Sequence, residues 1–226
     1  MDRDFDAVAF DLDGTLYPAA SLNLRIVPFL LRHWRLVAAF GRAREQIRHE
    51  QEQSSLYHDD FYRYQAQLTA KRLKASPDEV YQRLDRLVYR GWEPLFSEIR
   101  LFPYVKELLG ELKEKGFKLG LLSDFPPEAK LRHLGLGEGW DAVLCSEATG
   151  AIKPALRPFS CLAEALGCAP GRILYVGNSY RYDVVGAKRA GMKTALITGF
   201  LGGGRKGGDI DVLFQNYRQL HDFVIE

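Results

Sequence analysis

Cysteine is sparse in this chain of 226 residues. Cys145, Cys161 and Cys168 are odd in number and show no C-x-x-C spacing. That excludes a disulfide framework and a thiolate zinc site, and predicts reduced, mostly buried thiols in a cytoplasmic protein. Long apolar runs are missing as well. None approaches the ~20 residues that a membrane helix needs, so stable membrane insertion is not expected. The opening MDRDFDAVAF has neither the basic nor the apolar segment of a secretory signal. Charge of one sign is not in excess. A formal net charge of +2 makes no general case for a nucleic-acid partner. What remains, 46% hydrophobic and 27% charged residues, is ordinary for a globular chain long enough for one sizeable core, or a core plus a smaller insert.

The chain divides by texture. From about residue 98 onward, short apolar runs alternate with helical patterns. FKLGLLS (117–123), WDAVLCS (140–146), RILYVGN (172–178) and KTALITG (193–199) read as buried strands, with helix-length segments at 103–115, 127–134, 155–166 and 181–190. This alternation predicts an α/β protein, a Rossmann-like parallel sheet with helices on both faces. FDAVAFD (5–11) is a strand of the same kind, which makes about five. Residues 18–97 break the rhythm and hold helical patterns only, predicting an all-helical cap inserted after the first strand, with residues 1–17 and 98–226 as the core. Within the insert, SPDE (76–79) predicts a helix start: Ser76 as N-cap, Pro77 in the first turn, Glu79 closing a capping box. Gly91 suits the stop.

In a parallel α/β sheet, ligands bind beyond the carboxyl ends of the strands. Here four strands end in reactive groups. The first gives Asp11 and Asp13 and the second Ser123. The third leads through a loop to Lys153, and the fourth into GNSYRYD with Asn178 and Asp183. Right-handed crossovers bring these ends to one edge. Hard oxygen ligands at modest count suit Mg²⁺. A lysine and a hydroxyl suit phosphoryl oxygens. One aspartate suits nucleophilic attack on phosphorus and a second suits proton transfer to and from the leaving group. Asp11 and Asp13 alone also read as a strand-end turn, because Asp-Gly is turn chemistry.

The order DLDGT, Ser123, Lys153-Pro154, GNSYRYD resembles the haloacid dehalogenase-like superfamily, specifically its phosphatases, and the motifs span nearly the whole core. The resemblance implies Asp11 as nucleophile and Asp13 as general acid and base. It implies a phosphoryl group bound by Ser123 and Lys153, with Asp124 adjoining. Mg²⁺ would be held by Asp11, the main-chain carbonyl of Asp13, and Asn178 and Asp183 of the fourth motif. The fourth motif commonly carries an acid where this chain has Asn178, which implies a weaker metal site. The expected activity is Mg²⁺-dependent hydrolysis of a small phosphorylated metabolite through an aspartyl-phosphate. A phosphomutase, a carbon–halogen hydrolase and a catalytically impaired binding member would share the same core. Substrate identity and oligomeric state leave no signature in the sequence.

Three further stretches invite a functional reading but have plainer ones. GGGRKGG (202–208) lacks the ending of a phosphate loop and reads as a flexible surface loop, with Arg205 or Lys206 near the site mouth as the weaker alternative. RIVPFLLRHWRLVAAFGRAREQIR (25–48) is apolar and basic. It reads as a cap helix that buries one face and keeps its arginines wet, against attraction of an anionic substrate, partner binding or membrane contact. His33, His49 and His58 lack the spacing of a metal pair, and FYRYQ (61–65) and Trp92 read as packing residues.

Overall fold

The computed structural model describes residues 5–54, 56–199 and 210–225. Its frame is a six-stranded parallel sheet in the order β3-β2-β1-β4-β5-β6. The strands are β1 (Ala7–Phe10), β2 (Lys118–Ser123), β3 (Ala142–Cys145), β4 (Ile173–Gly177), β5 (Lys193–Ile197) and β6 (Val212–Phe214). Five match the apolar runs, and β6 is an addition to the expected set. Although β1 opens the chain, it lies inside the sheet, with Ala7 opposite Lys118 of β2 on one side and Ile173 of β4 on the other.

The continuous apolar runs follow from cover on both faces. Val8 and Phe10 join Leu119, Leu121, Leu174 and Val176 in a cluster with α5 (Val105–Glu114), α6 (Glu128–His133) and α9 (Tyr217–Ile225). Ala7 and Ala9 point the other way. They join Leu122, Ile173 and Tyr175 under α7 (Leu156–Leu166) and α8 (Val185–Arg189). The strand period of two thus sorts each strand's residues between two cores.

Between β1 and α5 the chain is helical: α1 (Ala19–Arg32), α2 (Trp34–Ser54), α3 (Phe61–Leu73), α4 (Pro77–Leu84), a π-helical turn at Asp85–Tyr89 and a 3₁₀ turn at Glu93–Glu98. Leu36, Phe40, Ala66, Ala70, Val80, Leu84 and Val88 form the insert's own apolar cluster. Ser76 is the N-cap of α4 and Pro77 its first residue, but the Ser76 hydroxyl makes no capping hydrogen bond, so the capping box is not formed. The π turn follows α4 before Gly91. The segment expected as one helix at 181–190 is a π-helical turn, Tyr180–Val184, running into α8. Among the described residues no helix is long and apolar enough to cross a membrane.

Candidate active site

The carboxyl ends of β1, β2 and β4 and the loop after β3 converge on one buried ammonium. Asp11 follows β1 directly, its N–H donating to Val176 O of β4 at 2.9 Å, which continues the ladder one residue past the strand. Its carboxylate is fixed on both oxygens: Thr15 Oγ1 donates to Oδ2 and Lys153 Nζ to Oδ1, each at 2.7 Å. Lys153 Nζ also donates to Asp183 Oδ1 at 2.7 Å. The other Asp183 oxygen accepts the main-chain N–H groups of Asn178 and Ser179 at 3.2 and 2.9 Å. Asp11, Lys153 and Asp183 are all buried.

Two glycines permit this crowding. Gly14 has φ of +91°, and a Cβ there would lie 2.1 Å from Asn178 Nδ2. A Cβ on Gly177 would lie 2.4 Å from that of Asp183. Any other residue at Gly14 is strained by its backbone as well as by contact.

The electrostatics follow from burial and charge count. Burial pushes the Asp11 carboxyl up to about 7; Lys153 opposes the shift, and the neighbouring Asp183 and Asp13 add to it. Burial alone would lower the Lys153 ammonium, but Asp11 and Asp183 outweigh it and hold Lys153 well above the usual lysine range. The inner cluster thus sets two carboxyl groups against one ammonium.

Asp13 faces a different way. Its Oδ1 accepts the Tyr17 hydroxyl, and its Oδ2 accepts Lys130 Nζ at 2.5 Å. Its main-chain oxygen lies 3.4 Å from Asn178 Nδ2. Ser123 is buried at the end of β2, with its Oγ accepting the Phe125 N–H at 3.3 Å. Asp124 has both carboxylate oxygens bonded within the protein. Oδ1 accepts the Lys153 N–H at 3.1 Å, and Oδ2 accepts Arg44 Nη2 at 3.1 Å and Arg48 Nη2 at 2.9 Å. Burial would raise the Asp124 carboxyl; Arg44, Lys153 and Arg48 together hold it below the usual range.

Arg44 and Arg48 of α2 correct the expectation of wet arginines. Arg44 is buried, bonded to Glu147 and, at 3.0 Å, to Gln65 Oε1, while Arg48 Nε donates to Lys153 O at 3.0 Å. Arg25, Arg32, Arg35 and Arg42 are exposed as expected. Phe61 and Gln65 pack inside, His58 stacks on Tyr64 at 3.7 Å, and Trp92 packs on Phe29 and Phe125. The 202–208 stretch lies outside the described residues.

Sequence reasoning missed Lys130, Tyr17, Arg44, Arg48 and Glu147. Tyr17 carried a signal, since it ends the same DLDGTLY run as Asp11. The others carry none, because nothing local marks which charged helix residue turns inward.

Among the described residues, no three His, Cys, Asp or Glu side chains form a metal-holding cluster. The expected ligands still provide two carboxylates, Asp11 and Asp183, next to carbonyl oxygens from Asp13 and the Asn178 amide. That hard donor set fits a Mg²⁺ ion that keeps several waters.

A parallel α/β core thus carries a helical insert after its first strand and two aspartates at that strand's end beside a buried lysine. Residues 5–191 match the haloacid dehalogenase-like hydrolase family, and the chain belongs to it. A glyceraldehyde 3-phosphate phosphatase of Methanothermobacter thermautotrophicus is 30% identical over 206 residues, 84% of each chain. The crystal structure of a haloacid dehalogenase-like phosphatase from Thermococcus onnurineus superposes with a TM-score of 0.63 at 23% identity, covering 97% of this chain and 98% of that one. An L-2-haloacid dehalogenase from Xanthobacter autotrophicus superposes with a TM-score of 0.65 at 18% identity, covering 97% and 98%. The fold is therefore common to both chemistries.

Proposed function

We propose that the protein is a Mg²⁺-dependent phosphatase that hydrolyses a small phosphorylated metabolite through an aspartyl-phosphate. The observation that carries this reading is the Asp11 carboxylate, held in place by Thr15 and Lys153 at the end of β1, with a second carboxylate, Asp13, two residues on. The similarity to a named phosphatase over most of both chains supports it.

Asp11 attacks phosphorus, and the bond from phosphorus to the ester oxygen breaks. The departing alkoxide takes a proton from Asp13. Asp13 then takes a proton from water, the resulting hydroxide attacks the aspartyl-phosphate, and inorganic phosphate leaves with Asp11 restored. Lys153 and Ser123 hold the phosphoryl oxygens, and the Asp124 carboxylate anchors the Lys153 segment through its N–H. Asp11, Asp183, the Asp13 main-chain oxygen and Asn178 would hold Mg²⁺, which would supply charge neutralisation for the phosphoryl group. A halide leaves without a proton, so an acid at Asp13 favours phosphate over carbon–halogen chemistry. Residues 18–97 act as a cap over the 1–17 and 98–226 core. The free cysteines suit a reducing cytoplasm.

The test is hydrolysis of p-nitrophenyl phosphate, with Mg²⁺ and with chelator, by the wild type and by Asp11→Asn. Turnover should require Mg²⁺. The variant should fold normally by circular dichroism and lose at least ~10³-fold in kcat, because an amide is a poor nucleophile. Activity within about tenfold of wild type would remove Asp11 as the nucleophile.

A further inference from the structure

The space beside Asp13 has a chemistry of its own. A cavity of about 160 Å³ lies between the helical insert and the sheet edge, walled by the rings of Tyr89, Trp92, Phe96 and Phe125 and by the charged side chains of Glu93, Glu128 and Arg132. Lys130 is the wall that this cavity shares with the catalytic centre. Its Nζ donates to Asp13 Oδ2 at 2.5 Å, and the same ammonium lies 5.3 Å from the Phe96 ring centroid and 5.5 Å from that of Phe125. On the other side of the centre lie Asp11, Lys153 and Asp183, buried and bonded to one another.

Asp13 serves the ester oxygen, so whatever that oxygen carries must extend past Lys130. It then meets four aromatic rings. The faces of these rings return no hydrogen bond to a hydroxyl laid over them, whereas Glu93, Glu128 and Arg132 at the wall offer partners to a few polar substituents. A flat ring would gain offset or edge-on contacts and, beneath Lys130, a cation–π contact.

We infer that the alcohol half of the substrate is a ring-bearing body seated in this aromatic cavity. The inference rests on the phosphatase reading for the word substrate, but the cavity's preference is measurable without turnover. Benzylphosphonate and methylphosphonate are not hydrolysed and differ only in the ring. Calorimetry on the full chain with Mg²⁺ should find benzylphosphonate bound at least tenfold more tightly. Equal affinities, or no measurable binding of benzylphosphonate, would overturn the inference.

Turnover provides the second arm. Benzyl phosphate and glycerol 1-phosphate release alkoxides of comparable basicity, so leaving-group chemistry gives benzyl no advantage. The kcat/KM ratio should favour benzyl phosphate at least tenfold, and Trp92→Ala and Phe125→Ala should each bring it to threefold or less. A preference for glycerol 1-phosphate, or a ratio untouched by both variants, would also overturn it. If the phosphonates show no preference while p-nitrophenyl phosphate is still cleaved, the aromatic pocket falls and the phosphatase stands. If the ring is preferred with no turnover of any ester, the pocket stands and the phosphatase falls.

Discussion

Asp183 divides its carboxylate between two tasks. One oxygen takes Lys153; the other ties down the Asn178 and Ser179 N–H groups at the turn after β4. With Asn178 neutral, Asp183 and Asp11 supply the charge facing any divalent cation, and charge count matters to an ion that dehydrates reluctantly. Asp183→Asn should therefore raise the half-saturating Mg²⁺ concentration at least tenfold. Asn178→Asp should lower it severalfold, on the order of 1 kcal/mol for one added charge in a partly solvated site. A Mg²⁺ titration of activity reads both. An unchanged midpoint in Asp183→Asn would leave that residue a purely structural role and move the metal elsewhere. Residue by residue, the sequence exposed Asp11, Asp13, Lys153 and Asp183 because each sits at or just beyond a strand's carboxyl end. It hid Lys130, which lies inside α6, where a lysine ordinarily faces water.

At the level of elements, α2 is fastened to the loops after β2 and β3 by charge. Arg44 meets Glu147 across 103 positions of sequence and Asp124 across 80, so no local pattern announces the contact. The side chains of Arg44 and Glu147 are only 6% and 0% exposed. Removing one partner strands a buried charge, which typically costs about 3–5 kcal/mol. Arg44→Met should lose roughly that much in urea unfolding; a loss under about 1 kcal/mol would mean that water reaches the cluster. A second fastening is pH-dependent. His221 of α9 reaches Glu111 of α5 at 2.7 Å and Asp222 at 3.1 Å. Asp222 raises the imidazole above its ordinary 6.5, slight burial opposes this, and Glu111 adds to the rise. Folding thus strengthens proton binding. The contribution is complete below the unfolded value and is lost as pH rises through the elevated one. Amides of α9 should exchange relatively faster at pH 8 than at pH 6 after correction for intrinsic rates, and His221→Gln should abolish the difference. Strands β1 to β5 were legible as apolar runs closed by glycine or polar residues. β6 was not, because three residues with Leu213 exposed between Val212 and Phe214 are too few to show a period.

At the scale of the whole molecule, contacts divide by range. The helices of the insert pack on their sequence neighbours, whereas β1 pairs only with strands that begin at residues 118 and 173. Local contacts form first because they close short loops. In pulse-labelled refolding, amides of α2 to α4 should gain protection before those of Val8, Ala9 and Leu174; simultaneous protection would show that the insert cannot form without the sheet. The position of β1 has a further consequence at the ribosome. At roughly 5–20 residues per second, the strand emerges some ten to thirty seconds before its β4 partner, starting at Ile173, has been made. Both edges of the apolar strand are bare until β2 is made, one edge stays bare until β4 is made, and every product interrupted before β4 keeps that edge bare. The segment that leads into Asp11 is therefore also the one that waits longest for cover in the nascent chain.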